Sequence, residues 1–520
     1  MSASSNRNTD VLIIGAGPTG LVLALWLARL GVRVRIVDKT AEPGTTSRAV
    51  ALQARTLELY GQIGLADTIV ERGRRAIAVN LWVAGKKAAR AVFGEMGEGL
   101  SPYPYALIYP QDEHERLLIE RLAQEGILVE RQTELLDFDD ATGRVIARLK
   151  RPNGVEEICE TAYIAGCDGA HSKVRDVLQI SFPGGTYAHL FYVADVEARG
   201  ETMNGELHVA FDRTDFLAVF PLKGDGRARL IGAVHEEHDR QHENLSWDDV
   251  SKRVIEWIRI DVGRVNWFST YRVHHRVADH FRSGRAFLLG DAAHIHSPVG
   301  GQGMNTGIGD AVNLAWKLAS VVRGRAGATL LDSFEPERIA FARRLVATTD
   351  QVFTAVTSYG AVARAIRLRL VPLVIPSLFA LKAMRRYLFR TVSQTRVNYR
   401  ESSLSEGHAG TVHGGDRLPW VKLDVNGREL DNFASLTALE WQFHVYGDAS
   451  PDVQALCRKR NMLLQIFPWR PEMARAGLQQ DAVYLVRPDG YVGLADPVGS
   501  VETAAAYLDA RKLTSSGRIA

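Results

Sequence analysis

Residues 287–311, FLLGDAAHIHSPVGGQGMNTGIGDA, concentrate side chains that do chemistry. Asp291, Asp310, His294 and His296 lie among closely spaced glycines, and a long helical pattern follows. A metal, a phosphate and a flat ring are the ligands that suit such a segment. Asp291, His294 and His296 form the only metal set it offers, but HxH on a loop is common and leaves the glycines unexplained. Glycines let backbone lie flat against a ligand. The stripe Ile308, Ala311, Val312, Ala315, Leu318, Ala319 and Val322 then makes a helix whose N-terminus is GGQGMNT.

A second glycine-rich turn is sharper. In VLIIGAGPTGLVLALWLARLGVRVRIVDK, residues 11–39, a buried strand pattern runs into Gly15, Gly17 and Gly20 and then into an apolar helix. A second strand follows and ends on Asp38. Gly15 permits the tight turn, Gly17 admits a pyrophosphate to the backbone, and Gly20 lets helix and strand pack closely. Pro18, Thr19 and Lys39 flank these positions. The helix N-terminus supplies N–H groups to phosphates, and Asp38 can accept hydrogen bonds from ribose hydroxyls. This predicts a dinucleotide but does not separate NAD from FAD.

Three further features bear on that choice. Arg48 follows Asp38 closely and can clamp a pyrophosphate, although a solvated surface arginine reads the same locally. Gln111 opens the helical pattern of QDEHERLLIERLAQ and can either bond a cofactor or cap the helix. YIAGCDGAHSKVR, residues 163–175, reads as a strand, a Cys-Asp-Gly turn at Cys167, Asp168 and Gly169, and a short helix.

GAGPTG, CDGAHSKVR and GDAAH…PVGGQGMN occur in this order over the first 350 residues or so. Together they resemble the single-component FAD-dependent aromatic hydroxylases, such as para-hydroxybenzoate hydroxylase, phenol hydroxylase and the aromatic polyketide hydroxylases. The resemblance implies one FAD held by a Rossmann-like domain, with NADPH or NADH as a passing reductant lacking its own motif. It implies reaction of reduced flavin with O2 to a C4a-hydroperoxide, and oxygen transfer to a phenolic or polycyclic aromatic ring. Baeyer–Villiger oxidation or epoxidation on the same fold is the alternative, and an NAD-dependent dehydrogenase is a more distant one. Carried over, Gly15, Gly17, Gly20 and Asp38 hold the ADP half, while Arg48 and Gln111 contact the cofactor. Asp168 and Gly169 belong to the motif shared with the nicotinamide, and Asp291 bonds the ribityl chain. Pro298 shapes the oxygen side. The N–H groups of Gly303, Met304 and Asn305 face the flavin N1–C2=O edge. That helix end can stabilise the anionic reduced flavin.

These residues need elements to hold them. The expected fold is α/β, α+β overall: a Rossmann-like FAD domain (1–180 and 270–400), a β-sheet substrate domain (181–269 with about 77–105) and a thioredoxin-like C-terminal domain (401–520). ELHVAF, FLAVFPL and ARLIGAV alternate as strands of a substrate sheet. Phe211, Phe216, Phe220 and Tyr192 are candidate pocket residues, with ordinary sheet core as the competing reading. His208 and Tyr271 are candidates to assist phenol ionisation. In the tail, EWQFHVYGD, PDVQALCRK, LLQIFPW, AVYLVRPDGYVGLAD and VETAAAYLDARKL read strand, helix, strand, hairpin and helix. Cys457 stands there without a CxxC, so this unit is expected to serve structure or oligomerisation, a homo-oligomer included, rather than thiol chemistry.

Composition bounds the rest. The 520 residues are 46% apolar and 24% charged with a net charge of +3, which argues against a dedicated nucleic-acid binder. Three scattered cysteines exclude a disulfide framework or a cysteine zinc site, and no metal is expected. In HEEHDRQH, residues 235–242, His238 and His242 stand four apart, but Asp239 occupies the place where a zincin puts glutamate after its first histidine, so a solvated acidic loop is expected. From the polar start MSASSNRNT no signal peptide is expected. LVPLVIPSLFALKAMRRYLF is broken by prolines and charges short of a span, so a packed connecting helix is expected over a peripheral membrane contact. The location expected is cytoplasmic.

Overall fold

The computed structural model describes residues 9–44, 49–140, 143–211, 216–234, 245–297, 301–357, 381–425 and 428–514. Arg48, Pro298, the acidic loop 235–242 and most of the apolar stretch after residue 370 lie outside them.

The dinucleotide motif stands on a parallel sheet. Strand Thr9–Ile14 pairs in parallel with Val34–Val37 on one side and Glu156–Gly166 on the other, and the latter pairs in parallel with Ala286–Leu288. Val11, Leu12 and Ile13 are fully buried, as a strand covered on both faces requires. Helix Pro18–Arg29 packs across this sheet and is buried from Gly20 to Leu27. Helix Gly303–Val322 lies against it. Glycines set that approach: a Cβ on Gly307 would fall 2.3 Å, and one on Gly290 2.7 Å, from Thr19 Oγ1.

Parallel pairing has a functional consequence. The chain leaves these four parallel strands at the same edge of the sheet, so Gly15, Asp38, Cys167–Asp168 and Leu289–Asp291 emerge side by side. Motifs up to about 275 residues apart in sequence thus share one rim, where open α/β sheets bind ligands.

A second, eight-stranded sheet is assembled around two long antiparallel strands, Gly184–Arg199 and Asp261–Val277. Arg227–Ala233, Phe216–Pro221 and Leu207–Phe211 extend it as antiparallel neighbours. The hairpin Ala78–Val83/Lys86–Val92 joins in parallel to Leu207–Phe211. The short strand His294–Ile295 pairs with the end of Asp261–Val277, tying the 287–311 segment to this sheet. Side chains alternate between faces. Val193, Ala218, Ile231, Phe216, Phe220, Trp267 and Tyr271 cluster on one face. Tyr192, Leu217, Val219, Leu230 and Phe268 cluster on the other, against Val250, Val254 and Ile255.

The C-terminal unit runs strand Gln442–Tyr446, helix Pro451–Arg460, strand Leu463–Phe467, helix Pro471–Arg475, hairpin Val483–Val486/Val492–Asp496 and helix Val501–Ala510. The first two strands are parallel and the hairpin is antiparallel, in the thioredoxin-like order 492–496, 483–486, 442–446, 463–467. Buried ion pairs dock it on the rest of the chain. Arg487 binds Glu337 Oε1 at 2.8 Å and Oε2 at 3.0 Å, with Lys317 Nζ on the same carboxylate at 2.8 Å. Arg417 forks onto Glu58 at 2.8 and 2.6 Å. Among the described residues no helix is long and apolar enough to cross a membrane.

Candidate active site

A cavity of ≈ 520 Å³ lies between the rim of the parallel sheet and one face of the eight-stranded sheet. The rim contributes Gly17, Pro18, Thr19, Gln111, Gly169, Asp291, Gly303 and Met304, and the sheet contributes Phe220, Ile231, Tyr271 and Val273. Residues read as cofactor-binding and residues read as substrate-facing therefore line one space.

The first glycine turn differs at each position. Gly15 has φ +101°, and a Cβ there would sit 2.3 Å from Cys167 O. A Cβ on Gly20 would sit 2.0 Å from Gly15 O. A Cβ on Gly17 would meet nothing within 4 Å. Gly15 and Gly20 are thus demanded by the protein's own packing. Gly17 opens onto the cavity and is demanded by no protein neighbour. Asp38 accepts hydrogen bonds from Ala16 N–H at 2.7 Å and from Thr40 N–H and Oγ1–H at 2.8 and 2.6 Å, and so braces this turn. Lys39 is exposed.

Asp168 Oδ2 accepts from Lys173 N–H at 2.7 Å and Val174 N–H at 3.2 Å, capping the short helix Lys173–Val177. Its Oδ1 is buried with no partner, and burial pushes the carboxyl pKa up. Gln111 begins helix Gln111–Gln124 and donates from Nε2 to Glu115 Oε1 at 2.8 Å. Its N–H also bonds Ala49 O at 3.2 Å, linking that helix to the segment after residue 48.

The 287–311 segment is held from beneath by a set of groups that motif reading passed over. Asp310, fully buried, accepts from Gly290 N–H at 3.0 Å and Arg338 Nε–H at 2.6 Å, and its Oδ2 lies 2.7 Å from His294 Nε2. The positive charge of Arg338 keeps the Asp310 carboxyl below its ordinary range despite burial. Arg338 also donates to Thr306 O at 3.0 Å and to Tyr399 Oη at 2.7 Å. No sequence signal marked it: Asp310 lies on the helix face of Thr306, Asn313 and Lys317, opposite the apolar stripe, where a polar residue reads as solvated.

Asn305 has a different part from the one its neighbours suggest. Its Oδ1 accepts from Gln53 N–H at 2.9 Å and Thr56 Oγ1–H at 2.7 Å. Its Nδ2 donates to Ala51 O at 2.9 Å and Gly301 O at 2.8 Å. That side chain is saturated and pins the loop to the strand Ala51–Leu52. The first intrahelical bond runs from Thr306 N–H to Gln302 O, so the N–H groups of Gly303, Met304 and Asn305 precede the helical ladder.

On the substrate side the sheet divides the candidates. Phe220 and Tyr271 line the cavity. Phe216 belongs to the same facial cluster and packs on Phe211, ring centroids 5.5 Å apart, but neither lines the cavity. Tyr192 faces the other way and stacks on Phe268, because its immediate neighbours Phe191 and Val193 point toward the cavity side. His208 is also elsewhere. Its Nδ1 accepts from Trp82 Nε1–H at 3.1 Å and its Nε2 lies 3.0 Å from Asn204 Oδ1, while burial pushes its pKa down to about 4. It is a satisfied, neutral histidine.

The site fits FAD on its own features. The turn at Gly17 is open, Gly303 and Met304 line the cavity with N–H groups that precede the helical ladder, and Asp168 Oδ1 beside the first glycine turn is buried without a protein partner. Among the described residues no three His, Cys, Asp or Glu side chains are placed to hold a metal. The three cysteines are buried and free.

Comparison with known proteins agrees. Residues 8–349 match the FAD binding domain family. The chain is 32% identical to a 6-methylpretetramide 4-monooxygenase of Streptomyces rimosus, over 97% of this chain and 94% of the relative. It is 30% identical to a rifampicin monooxygenase of Rhodococcus hoagii, over 98% and 99%. The solved anhydrotetracycline hydroxylase OxyS of Streptomyces rimosus superposes with a TM-score of 0.78 at 28% identity, covering 97% of this chain and 99% of that one. With three motifs gathered on one cavity rim and the matched span enclosing all of them, the chain belongs to the FAD binding domain family, as a flavin-dependent aromatic monooxygenase.

Proposed function

We propose that this enzyme uses NADPH or NADH and O2 to hydroxylate a phenolic or polycyclic aromatic compound. The observation that carries this is the shared cavity, with dinucleotide turns on one wall and the apolar face of Phe220, Ile231, Tyr271 and Val273 on the other. An electron-rich flat ring is the ligand such a wall takes up, by apolar burial and ring contacts.

FAD bound here would accept hydride and activate O2. The chain's residues do the rest. Gly15–Gly20 and Asp38 hold the ADP half, and Asp291 holds the ribityl chain. The N–H groups of Gly303, Met304 and Asn305, at the positive end of a 20-residue helix, stabilise negative charge on the ring edge that faces them. The aromatic sheet face keeps water from the reacting atoms. Arg48 and Pro298, outside the described residues, keep the roles that the resemblance implies, contact with the cofactor and shaping of the oxygen side. Tyr271, which lines the sheet wall of the cavity, is assigned to assist ionisation of a substrate phenol. We divide the chain into the FAD, substrate and C-terminal units at the boundaries given above, and place the enzyme in the cytoplasm.

The test is purification with bound FAD near one per chain, followed by a panel of phenols and polycyclic aromatics. Stimulated NAD(P)H oxidation and one labelled oxygen from 18O2 on a ring carbon are expected. Insertion of that oxygen between a carbonyl and its neighbouring carbon would instead establish the Baeyer–Villiger reaction, and an epoxide the alternative oxygenation. A flavin-free protein would refute all three.

A further inference from the structure

His296 was the least explained residue of the 287–311 segment, and its surroundings are unusual. Its Nδ1 lies 2.8 Å from Ser297 O. A carbonyl can only accept, so Nδ1 carries the proton and Nε2 presents a lone pair. That Nε2 is buried and has no hydrogen-bond partner. The ring lines the cavity, with Cε1 and Nε2 each 3.8 Å from where a Cβ on Gly303 would stand. Burial pushes the imidazole pKa down to about 4, so the ring is neutral near pH 7. The adjacent Ser297 Oγ is also buried and unpartnered, and Ser297 lines the same wall. His294, whose ring lies nearly parallel at 6.5 Å, is engaged with Asp310 and offers His296 no proton.

A buried acceptor left without a donor costs on the order of 1–3 kcal/mol, which a ligand donor recovers. The edge of a flavin that suits the Gly303 N–H groups is itself an acceptor, so it cannot satisfy Nε2. A hydroxyl on an aromatic ring can. We propose that His296 Nε2 is the hydrogen-bond acceptor for a phenolic O–H of the substrate, an assignment that rests on the aromatic hydroxylase reading above. Holding that proton raises electron density on the ring and orients the carbons beside the hydroxyl. It also makes the free hydroxyl, rather than the ring alone, the recognised feature.

The experiment uses the FAD-loaded full chain and matched probes: 2-naphthol against 2-methoxynaphthalene, and 2,6-dihydroxyanthraquinone against its dimethyl ether. Dissociation constants come from ligand-induced changes in flavin absorbance. Wild type should prefer each phenol over its ether by about tenfold or more. His296→Leu should erase that preference while leaving FAD affinity within about threefold, a smaller shift than the tenfold given by a lost hydrogen bond of about 1.4 kcal/mol. If the leucine variant does not fold by circular dichroism, His296→Ala carries the same comparison. A phenol preference that survives substitution overturns the assignment. So does FAD affinity weakened more than about tenfold, which would place Nε2 on the flavin. If neither probe pair binds wild type, the aromatic hydroxylase reading falls and the acceptor with it.

Discussion

Gly17→Ala and Gly20→Ala change one methyl each, three residues apart, and should fail in different ways. Gly17 has φ −77° and ψ −178°, a conformation open to any L-residue, and its Cβ would meet nothing within 4 Å. Alanine there should leave the flavin-free protein as stable as wild type, or more stable by about 0.4–1 kcal/mol through a stiffer unfolded chain. The methyl enters the space where a pyrophosphate must approach backbone N–H groups. Losing one charge-assisted hydrogen bond costs about 1.5–3 kcal/mol, so FAD should bind roughly 10- to 150-fold more weakly. At Gly20 the methyl would lie 2.0 Å from Gly15 O and 3.2 Å from the Cys167 Cβ. Neither is the free end of a flexible side chain, so the turn must shift, at a cost of about 3 kcal/mol or more. Urea unfolding of the deflavinated proteins and FAD titration by fluorescence quenching separate the two effects. A Gly17→Ala protein that binds FAD like wild type, or that loses more than about 1 kcal/mol without FAD, would refute the division of labour argued for this turn.

Other outcomes test other parts of the structure. Asp291→Ala should purify without flavin while His208→Ala keeps it, read from the ratio of 450 to 280 nm absorbance; a flavin-replete Asp291→Ala protein would contradict the ribityl role. Arg487→Met leaves two buried carboxylates, Glu337 and Asp489, to the single cation Lys317, and the uncompensated charge should destabilise by about 3–5 kcal/mol. In a double-mutant cycle with Glu337→Gln, coupling under about 0.5 kcal/mol would show that the pair does not act as a unit. Burial pushes the pKa of His114 and His444 down to about 3. Each regains a pKa near 6.5 on unfolding, so the unfolded chain takes up protons that the native one refuses. Stability is therefore full above pH 6.5 and falls toward pH 3. At pH 5 each histidine accounts for about 2 kcal/mol, together about 4, and equal urea midpoints at pH 7.5 and 5 would disprove it.

Local chemistry made much of this protein legible in its sequence. GAGPTG, the Cys-Asp-Gly turn and the glycine-rich 287–311 segment each follow a strand, and the left-handed φ of Gly15 and the contact of Gly20 with Gly15 O arise within a few positions, although the closure of Cys167 on both does not. The alternating strands 207–233 and the strand–helix–strand–hairpin–helix tail are likewise short-range patterns, and they formed where periodicity placed them. Other features depended on partners distant in sequence. Which aromatic residues face the cavity followed from sheet pairing, which turned Tyr271 and Phe220 inward and Tyr192 outward. His208 became a satisfied core residue only when Trp82 arrived from a hairpin 126 positions earlier. Asp310, Arg338 and His294 formed a brace under the site only after two helices and a loop packed together, and three of the four partners of Asn305 lie some 250 residues away. The glycines announced a ligand because backbone strain is local; the acids and histidines did not announce their roles, because a charged or polar side chain takes its meaning from whatever the fold sets against it.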